Sequence, residues 1–506
     1  MNHIKFVNTD EKLLFWIGIA LAVLTKALPL LFTKYPIGIG GLGYQVVGQI
    51  VEDRELMPKV IRYYNGGMPF AYPPLGFYIT STAAWLFGGN NLYLYLLLPV
   101  VYCISFVPIF GLLSYEVFGK SAALTALFAF SVCPNSVGQL IYAFGVIRSP
   151  AYIIYILGLF FLYKYFKKGN PSMLGLAGGV SSALALLTHP VVGYCMALTS
   201  AYTIGYYVLR KKSGLIRVAI YFAISASVLL IPYALYVYNQ GFVSNYINAF
   251  YSRAHVNPLL GSIFFDETGE IFVTVWNAFA VLGIVFCIYE KRYLLLGWVV
   301  IGMYVPYSFT ALPTMALVAG FGFSKTVVER NWNKYVVFLS SRIGIKEVII
   351  TLVVLYSVGS NSAYLIPERI LGDKGLLNEK MKLTDSSVES ARWIENNLDS
   401  SSRVLFIGSL NEWGPGLSER NSILTPFGSE WTGRFERIKN TRKKIKSKKC
   451  IENVLSTLEK NAKNATHILL RKKMFVICNR QQKSVKALFE NKNHIIYEVI
   501  EAGNTN

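Results

Sequence analysis

The segment KYPIGIGGLGYQVVGQIVEDRELMPKVIRYYNGGMPFAYPPLGFYITSTAAWLFG runs from Lys34 to Gly88 and follows the first long apolar stretch of the chain. Tyr44–Val51 has the spacing of apolar residues typical of an amphipathic helix, which the charged triplet Glu52-Asp53-Arg54 ends. Residues 73–88 are apolar, but they are fewer than the about 18–20 residues that a spanning helix needs. The pattern therefore predicts a long loop with an amphipathic helix near its start and an interfacial or re-entrant helix near its end.

The composition around this loop is that of a membrane protein. Of the 506 residues, 53% are hydrophobic, only 15% are charged, and the mean hydropathy is +0.42. An average soluble protein carries about 25% charged residues. The composition excludes a cytosolic enzyme, a disordered chain and a disulfide-dense secreted scaffold. The net charge of +21 fits cations held in cytoplasmic loops, so no nucleic-acid partner is expected.

Runs of apolar residues predict about 11 transmembrane helices in residues 1–366. They cover residues 13–33, 92–115, 121–138, 149–166, 172–188, 191–209, 217–237, 271–289, 293–307, 309–324 and 347–366. The first run is too long for a signal peptide and lacks a small-residue cleavage site, which indicates an uncleaved anchor.

The positions of the cations predict the orientation of the chain. Lys and Arg residues follow the spans that end near residues 166, 209 and 289, and they precede the last span. With a cytoplasmic N-terminus, all of these groups lie inside, as the positive-inside rule requires. The first loop, residues 34–91, and the tail, residues 367–506, then lie outside the cell membrane.

The tail alternates short apolar runs with amphipathic stretches, which predicts a small extracytoplasmic α/β domain. Its predicted elements are a helix over Ser386–Asn396 with Asp385 as N-cap, a strand over Arg403–Gly408, a helix over Ile451–Lys463, and strands over His467–Leu470 and His494–Val499. The basic stretch Arg437–Lys449 fits either anionic lipid headgroups or a solvated face. Cys450 and Cys478 could form a disulfide in an oxidising exterior.

The chain resembles the GT-C superfamily of integral membrane glycosyltransferases in four features. These are the order of spans, the first loop with Tyr44 and Pro73-Pro74-Leu75, the Thr188-His189-Pro190 break, and the tail. In the tail, Trp413-Gly414-Pro415, Arg420 and residues 427–431 carry the resemblance. It implies a polytopic α-helical GT-C bundle that takes a sugar from a polyprenyl-phosphate-linked donor. The acceptor would be an extracytoplasmic glycolipid, polysaccharide or protein, and membrane lipids would surround the bundle. No cofactor is implied.

The donor needs a cation for its phosphate, and candidates for binding phosphate or sugar are Arg148, His189, Tyr44, Arg62 and Arg253. Each has a structural alternative: Arg148 as a snorkelling interfacial residue, His189 as a packed core residue, and Arg62 and Arg253 as solvated cations.

The acceptor hydroxyl needs a carboxylate to remove its proton. The resemblance implies an acidic residue two to four positions before Tyr44, where this chain has Gly40, Gly41 and Leu42. The substitute candidates are Glu52 and Asp53 in the first loop and Asp266 and Glu267 in a further outward segment, Tyr238–Glu270. Gly145–Ser149 contains no acidic residue, so the metal site of the oligosaccharyltransferase branch is not expected.

Three functions stay open at this point. The first is a glycosyltransferase that inverts the anomeric centre in a single in-line displacement. The second is a non-catalytic scaffold or assembly partner in cell-surface glycan synthesis, which kept the fold and lost the base. The third is a transporter, which is disfavoured because the two halves show no matching interrupted spans.

Overall fold

The fold is described from a computed structural model. It describes residues 9–119, 123, 126, 130, 140–141, 144–168, 172–210, 215–252, 275–305, 308–328, 383–408, 410–446, 450–461, 465–472 and 485–500. The predicted spans over 121–138 and 347–366 lie wholly or mostly outside these residues, so the count of about 11 spans stays a prediction.

The first part of the described chain is a helical bundle interrupted by one small hairpin. Its helices are α1 (Thr9–Phe32), α2 (Gly41–Val51), α3 (Leu75–Leu86), α4 (Leu94–Phe118), α5 (Gly145–Lys167), α6 (Ser172–Thr188), α7 (Pro190–Leu209), α8 (Leu215–Asn239), α9 (Val243–Ser252), α10 (Val275–Tyr289), α11 (Tyr293–Tyr304) and α12 (Ser308–Phe323), and a π-helical turn, Ser324–Val328, extends the last. The hairpin pairs β1 (Val60–Ile61) with β2 (Met68–Pro69) in antiparallel fashion.

Three helices in the described part of the chain are long and apolar enough to cross a membrane: Leu94–Phe118, Gly145–Lys167 and Ile216–Asn239. Shorter apolar helices accompany them at Ser172–Thr188, Asn277–Tyr289 and Tyr293–Tyr304. Each coincides with a predicted span to within several residues. Aromatic and aliphatic side chains fill the bundle, and the buried Trp298 donates its indole N–H to the Thr203 hydroxyl at 2.8 Å.

Predicted cytoplasmic cations meet at one end of the bundle. Lys164 and Lys167 at the end of α5 both pair with Glu116 near the end of α4, at 2.9 and 3.2 Å. Arg292 and Lys325 pair with Glu290, and the Arg292 guanidinium also lies 4.7 Å from the centroid of a phenylalanine ring in α12. The helix ends that the sequence assigns to one side of the membrane therefore lie together.

The two helices of the first loop form near their predicted positions. Helix α2 begins three residues before the predicted Tyr44, and α3 (Leu75–Leu86) begins directly after Pro73-Pro74, within the predicted 73–88 segment. Asn90 ties the two ends of this loop together, because its side-chain amide donates to the Tyr44 carbonyl at 2.8 Å.

The tail contains a five-stranded mixed sheet with helices against it. Its elements are α13 (Asp385–Asn397), β3 (Arg403–Phe406), α14 (Leu410–Ser418), β4 (Asn421–Ser422), a 3-10 turn (Ser429–Thr432), α15 (Phe435–Lys446), α16 (Ile451–Asn461), β5 (His467–Arg471), β6 (Val485–Glu490) and β7 (His494–Val499). The strand order is β4-β3-β5-β7-β6; β4, β3 and β5 run parallel, and β7 pairs antiparallel with both β5 and the edge strand β6.

The predicted cap of the first tail helix is wrong by one residue. Asp385 is the first helical residue, and the preceding Thr384 accepts a hydrogen bond from the Ser387 amide. Asp385 instead faces the first loop, where it pairs with Lys34 at 2.7 Å and accepts from the Tyr35 hydroxyl at 2.8 Å. Cys450 is disulfide-bonded; its predicted partner, Cys478, lies outside the described residues.

Candidate functional site

The tail docks onto the first loop through Glu412. Its carboxylate accepts hydrogen bonds from the backbone amide of Gly40 at 3.0 and 2.9 Å, and the amides of Gly41 and Leu42 also donate to it. These amides open helix α2 and would otherwise have no partner within the helix. A carboxylate from the tail therefore lies at the three positions where the resemblance implied a loop acid.

Tight packing around Glu412 requires glycine in the loop. A Cβ on Gly41 would lie 2.4 Å from the Glu412 carbonyl oxygen, and a Cβ on Gly40 would lie 2.9 Å from the Trp413 ring. The Trp413 indole donates to the Gly38 carbonyl at 2.9 Å, and its ring lies against those of Tyr44 and Tyr95. The Gly40–Leu42 gap in the acidic pattern is therefore the surface on which the tail packs.

Burial sets the protonation states of Glu412 and Tyr44 at this junction. It raises the pKa of Glu412 to about 8, even though the three amides favour the charged form and oppose the shift. Burial also raises the pKa of Tyr44 to about 12, so the predicted sugar-binding residue presents a neutral hydroxyl. Glu412 is enclosed and already bound by amides, which indicates that it holds the start of α2 in place.

A second set of hydrogen bonds joins the hairpin of the first loop to the tail. The Asn65 side chain donates to the Thr425 carbonyl and accepts from the Thr425 amide, both at 2.8 Å. Ser422 donates through its amide and its hydroxyl to the Tyr63 carbonyl. Each of these four bonds has a backbone group on at least one side, so they join the backbone of the loop to that of the tail.

Four segments of the chain meet around the ring of Tyr72 in the first loop. Ring centroids lie 6.1 Å away at His189, 6.3 Å at Phe144, 5.6 Å at Phe77 and 5.7 Å at Trp431. These neighbours come from the α6–α7 break, the start of α5, helix α3 and the tail. We call these five side chains the aromatic cluster.

His189 enters the cluster because the helix breaks there. Pro190 cannot continue α6, so α6 ends at Thr188 and the extended His189 becomes the N-cap of α7. Its Nδ1 accepts from the Val192 amide at 3.4 Å, which turns the ring towards Tyr72. The predicted break at Thr188-His189-Pro190 is confirmed, and the structure makes His189 a buried cap within the cluster.

Arg148 lies in the first turn of α5, directly after Phe144 of the aromatic cluster. Its side chain is buried, with 7% exposure, and Ile147 beside it contacts the position of Gly76 in α3. The adjacent Ser149 hydroxyl donates to the Leu140 carbonyl. A guanidinium buried at the positive end of a helix is a strong site for a phosphate. Arg148 thus lies one helical turn after Phe144 of the cluster that contains His189, and its backbone amide donates to the Phe144 carbonyl at 3.1 Å.

The other predicted residues lie elsewhere. Arg62 pairs with Asp53 at 2.6 Å and with Glu55 at 2.5 Å, on an exposed edge of the first loop. Glu52 lies at the end of α2, where partial burial and the nearby carboxylates Glu419 and Asp53 raise its pKa. Arg253, Asp266 and Glu267 lie outside the described residues.

Sequence reasoning missed Glu412, Glu430 and the central position of Tyr72. Glu430 is half-buried in the 3-10 turn, next to Trp431 of the aromatic cluster. Both glutamates stand immediately before a tryptophan of a motif that carried the resemblance, but the motif alone assigns no role to either glutamate. Among the described residues, no three His, Cys, Asp or Glu side chains are grouped to hold a metal ion.

No protein-family model matches the sequence, and no curated protein matches it. Solved structures do. AglB, an archaeal oligosaccharyltransferase from Archaeoglobus fulgidus bound to an inhibitory peptide and a dolichol-phosphate, has a TM-score of 0.63 over 92% of this chain and 70% of its own, at 14% identity. ArnT from Cupriavidus metallidurans, bound to undecaprenyl phosphate, has a TM-score of 0.59 over 97% of this chain and 98% of its own, at 13% identity. The chain has the GT-C fold.

The arabinofuranosyltransferase AftD from Mycobacteria supports the same fold, with a TM-score of 0.54 over 96% of this chain and 40% of its own, at 13% identity. The resemblance inferred from the loop, the break and the tail is thereby confirmed for the fold. A GT-C fold accounts for the first loop that precedes the bundle helices and contacts the tail.

Proposed function

We propose that this chain is a membrane glycosyltransferase that moves a sugar from a polyprenyl-phosphate-linked donor to an extracytoplasmic acceptor. The observation that carries the proposal is the aromatic cluster. There, Tyr72 of the first loop contacts both His189, at the helix break, and Trp431, which follows the carboxylate of Glu430. The GT-C fold supports it, since AglB and ArnT were solved with polyprenyl phosphates bound.

The donor phosphate would lie against Arg148 and His189. Both are buried, His189 within the cluster and Arg148 one helical turn after its Phe144, and α5 and α7 begin at the cluster with the positive ends of their dipoles. An arginine fork supplies two parallel N–H donors to a phosphate, and a low-dielectric setting strengthens them as negative charge develops on the leaving group. Tyr44 and the cluster rings would provide the walls for the sugar and the acceptor.

Glu430 is the described carboxylate that best fits the role of base. It is half-buried beside the cluster, whereas Glu412 is enclosed and amide-bound, and Asp53 is paired with Arg62. In the proposed step, the acceptor hydroxyl gives its proton to Glu430 while its oxygen bonds to the anomeric carbon. The bond from that carbon to the phosphate oxygen breaks, and the phosphate leaves on the lipid carrier.

The proposal includes an orientation. The ends of α4, α5, α10 and α12, where Lys164, Lys167, Arg292 and Lys325 pair with Glu116 and Glu290, would face the cytoplasm, with the first loop and the tail outside. A lipid-linked donor suits this face, because it carries its own leaving group and needs no nucleotide. Residues 367–506 would then form an extracytoplasmic domain and residues 1–366 the membrane domain.

The test is complementation of a deletion strain together with donor binding by the purified chain in detergent. Glu430→Gln should abolish the surface glycan while keeping the thermal shift that a polyprenyl phosphate causes. Arg148→Gln should lose both. The matched control is Glu436→Gln, since Glu436 is an exposed carboxylate that pairs with Lys439 just beyond the cluster, and both readouts should survive this change.

Wild-type glycan with Glu430→Gln would exclude Glu430 as the base. If Asp53→Asn, Asp266→Asn or Glu267→Gln removes the glycan, the residue changed in that variant would instead be the base, as the sequence predicts. If every carboxylate variant restores the glycan and only deletion of the chain removes it, the non-catalytic scaffold function is correct.

A further inference from the structure

A cavity of about 590 Å³ lies between the hairpin of the first loop and the tail. The turn Asn65–Met68 forms one wall, and residues 421–424 and the start of α15 form the others. Its volume is in the range of small-molecule sites, about 300–1,000 Å³. None of the residues described so far as candidates for donor binding or proton transfer lines it.

Three arginines dominate the charge of this cavity. Arg403, Arg434 and Arg437 line it, and none of the described residues that line it is acidic. Within the described part of the chain, these three guanidinium groups form no ion pair, and the nearby Glu436 pairs with Lys439. Three cations around one concave surface repel each other, and a bound anion would relieve that repulsion.

The walls of the cavity are fixed before any ligand arrives. The paired hydrogen bonds between Asn65 and Thr425 and the bonds from Ser422 to Tyr63 hold the two sides together. Helix α15 begins at Phe435, between two of the lining arginines, so its first amides and its dipole add to the positive potential. Arginine forks suit carboxylate and phosphate groups, which they bind in a bidentate manner.

The cavity adjoins the proposed reaction site through one turn of backbone. In the 3-10 turn Ser429–Thr432, Trp431 packs against Tyr72, and Thr432 lines the cavity. A ligand held in the cavity would therefore lie on the other side of the turn that carries Glu430.

We propose that this arginine cavity binds the anionic group, a carboxylate or a phosphate, of an acidic acceptor glycan. The inference rests on the proposed function, because it names the acceptor class of the same site. An acidic glycan fits better than a lipid headgroup, since the arginines surround a half-open pocket beside the turn that carries Glu430, whereas the exposed lysines of α15 do not line it.

Binding can be measured by calorimetry on the full chain in detergent, with a hexagalacturonate as the carboxylate probe and inorganic phosphate as the phosphate probe. The hexasaccharide with its carboxylates reduced to alcohols is the neutral control. We expect the charged sugar to bind, the neutral one to fail, and Arg434→Gln or Arg437→Gln to weaken binding at least tenfold. Lys443→Gln removes the same charge from an exposed site on α15 and should change affinity less than twofold.

Equal losses from Lys443→Gln and Arg434→Gln would overturn the proposal, because the attraction would then be non-specific. Equal binding of the neutral sugar would also overturn it. Binding of phosphatidylglycerol nanodiscs that is lost with Arg434→Gln, without binding of the sugar or of phosphate, would assign the cavity to lipid headgroups instead. Glu430→Gln should keep the binding, so a failed transfer reaction and a failed acceptor site give different results.

Discussion

The carboxylate of Glu412 and the backbone amide of Gly40 are 372 positions apart in the chain, yet they are hydrogen-bonded at 2.9 and 3.0 Å. The bond satisfies the open amides at the start of α2 and brings the tail against the first loop. Because Glu412 is buried, this contact fixes the position of Tyr44 on the next turn of the same helix. The junction is the structural basis of the candidate site, since Tyr72 and Trp431 meet beside it.

The first prediction concerns the pH dependence of this junction. The pKa of Glu412 is about 8 in the folded chain, against 4.5 for a free glutamate, so the docked state binds the proton more tightly. Its contribution to stability is fully present below about pH 4.5 and is lost as the pH rises through 8. We expect the midpoint of thermal unfolding to fall over this window.

Glu412→Gln should remove that pH dependence, because glutamine keeps a hydrogen-bond acceptor but carries no titrating proton. Glu436→Gln is the control and should retain the wild-type slope. The measurement is a series of thermal unfolding curves in detergent between pH 4.5 and 8.5. An unchanged slope in Glu412→Gln would show that another group controls the junction.

A second prediction uses the glycines. Gly41→Ala places a methyl group 2.4 Å from a backbone oxygen of the tail, which cannot rotate away. Overpacking of this kind lowers the free energy of unfolding by about 1–3 kcal/mol. Gly205→Ala in α7 meets nothing within 4 Å and should leave the unfolding midpoint unchanged or higher. Limited proteolysis of the tail should increase only in Gly41→Ala. Equal behaviour of the two variants would contradict the close packing.

The sequence predicts much of this architecture because its signals are local. Apolar runs identify the long apolar helices of the bundle to within several residues, Pro190 marks the break, and short apolar runs identify β3, β5 and β7. Helices α9, α14 and α15 and strands β4 and β6 are not predicted. The position of Glu412 has no such signal. From the sequence, the glycines before Tyr44 indicate only that the expected acidic residue is missing from the loop. The packing of two distant segments shows that a carboxylate from the tail lies there.

The candidate site was predicted less completely for the same reason. Arg148 and His189 are marked by a helix start and a helix break; His189 belongs to the aromatic cluster, and Arg148 follows its Phe144 by one helical turn. Arg62 and Asp53 have equally suggestive charges, but they neutralise each other at 2.6 Å on an exposed edge. Glu430 could be recognised only from its contact neighbourhood, since a single glutamate in a loop is usually solvated.

A third prediction separates the two roles of His189. Its Nδ1 caps α7, and its ring faces Tyr72. Asparagine is also a good N-cap, so His189→Asn should preserve stability and lose donor affinity. His189→Ala should lose donor affinity and also cost about 1 kcal/mol of stability. Thermal unfolding and binding of a polyprenyl phosphate distinguish them. Full donor affinity in His189→Asn would show that His189 acts only as the N-cap of α7 and does not bind the donor.

The last prediction concerns the shape of the cation at the start of α5. Arg148 is buried beside Phe144, where a planar fork can hold two phosphate oxygens at once. Arg148→Lys keeps the charge but replaces the fork with a point charge, so donor affinity should fall at least tenfold. Donor affinity should fall further in Arg148→Gln, which loses the charge as well. The control is Arg62→Lys, whose partners Asp53 and Glu55 lie on the exposed edge and which should bind the donor as the wild type does. If Arg148→Lys binds a polyprenyl phosphate with wild-type affinity, charge alone is sufficient and the bidentate geometry is not used.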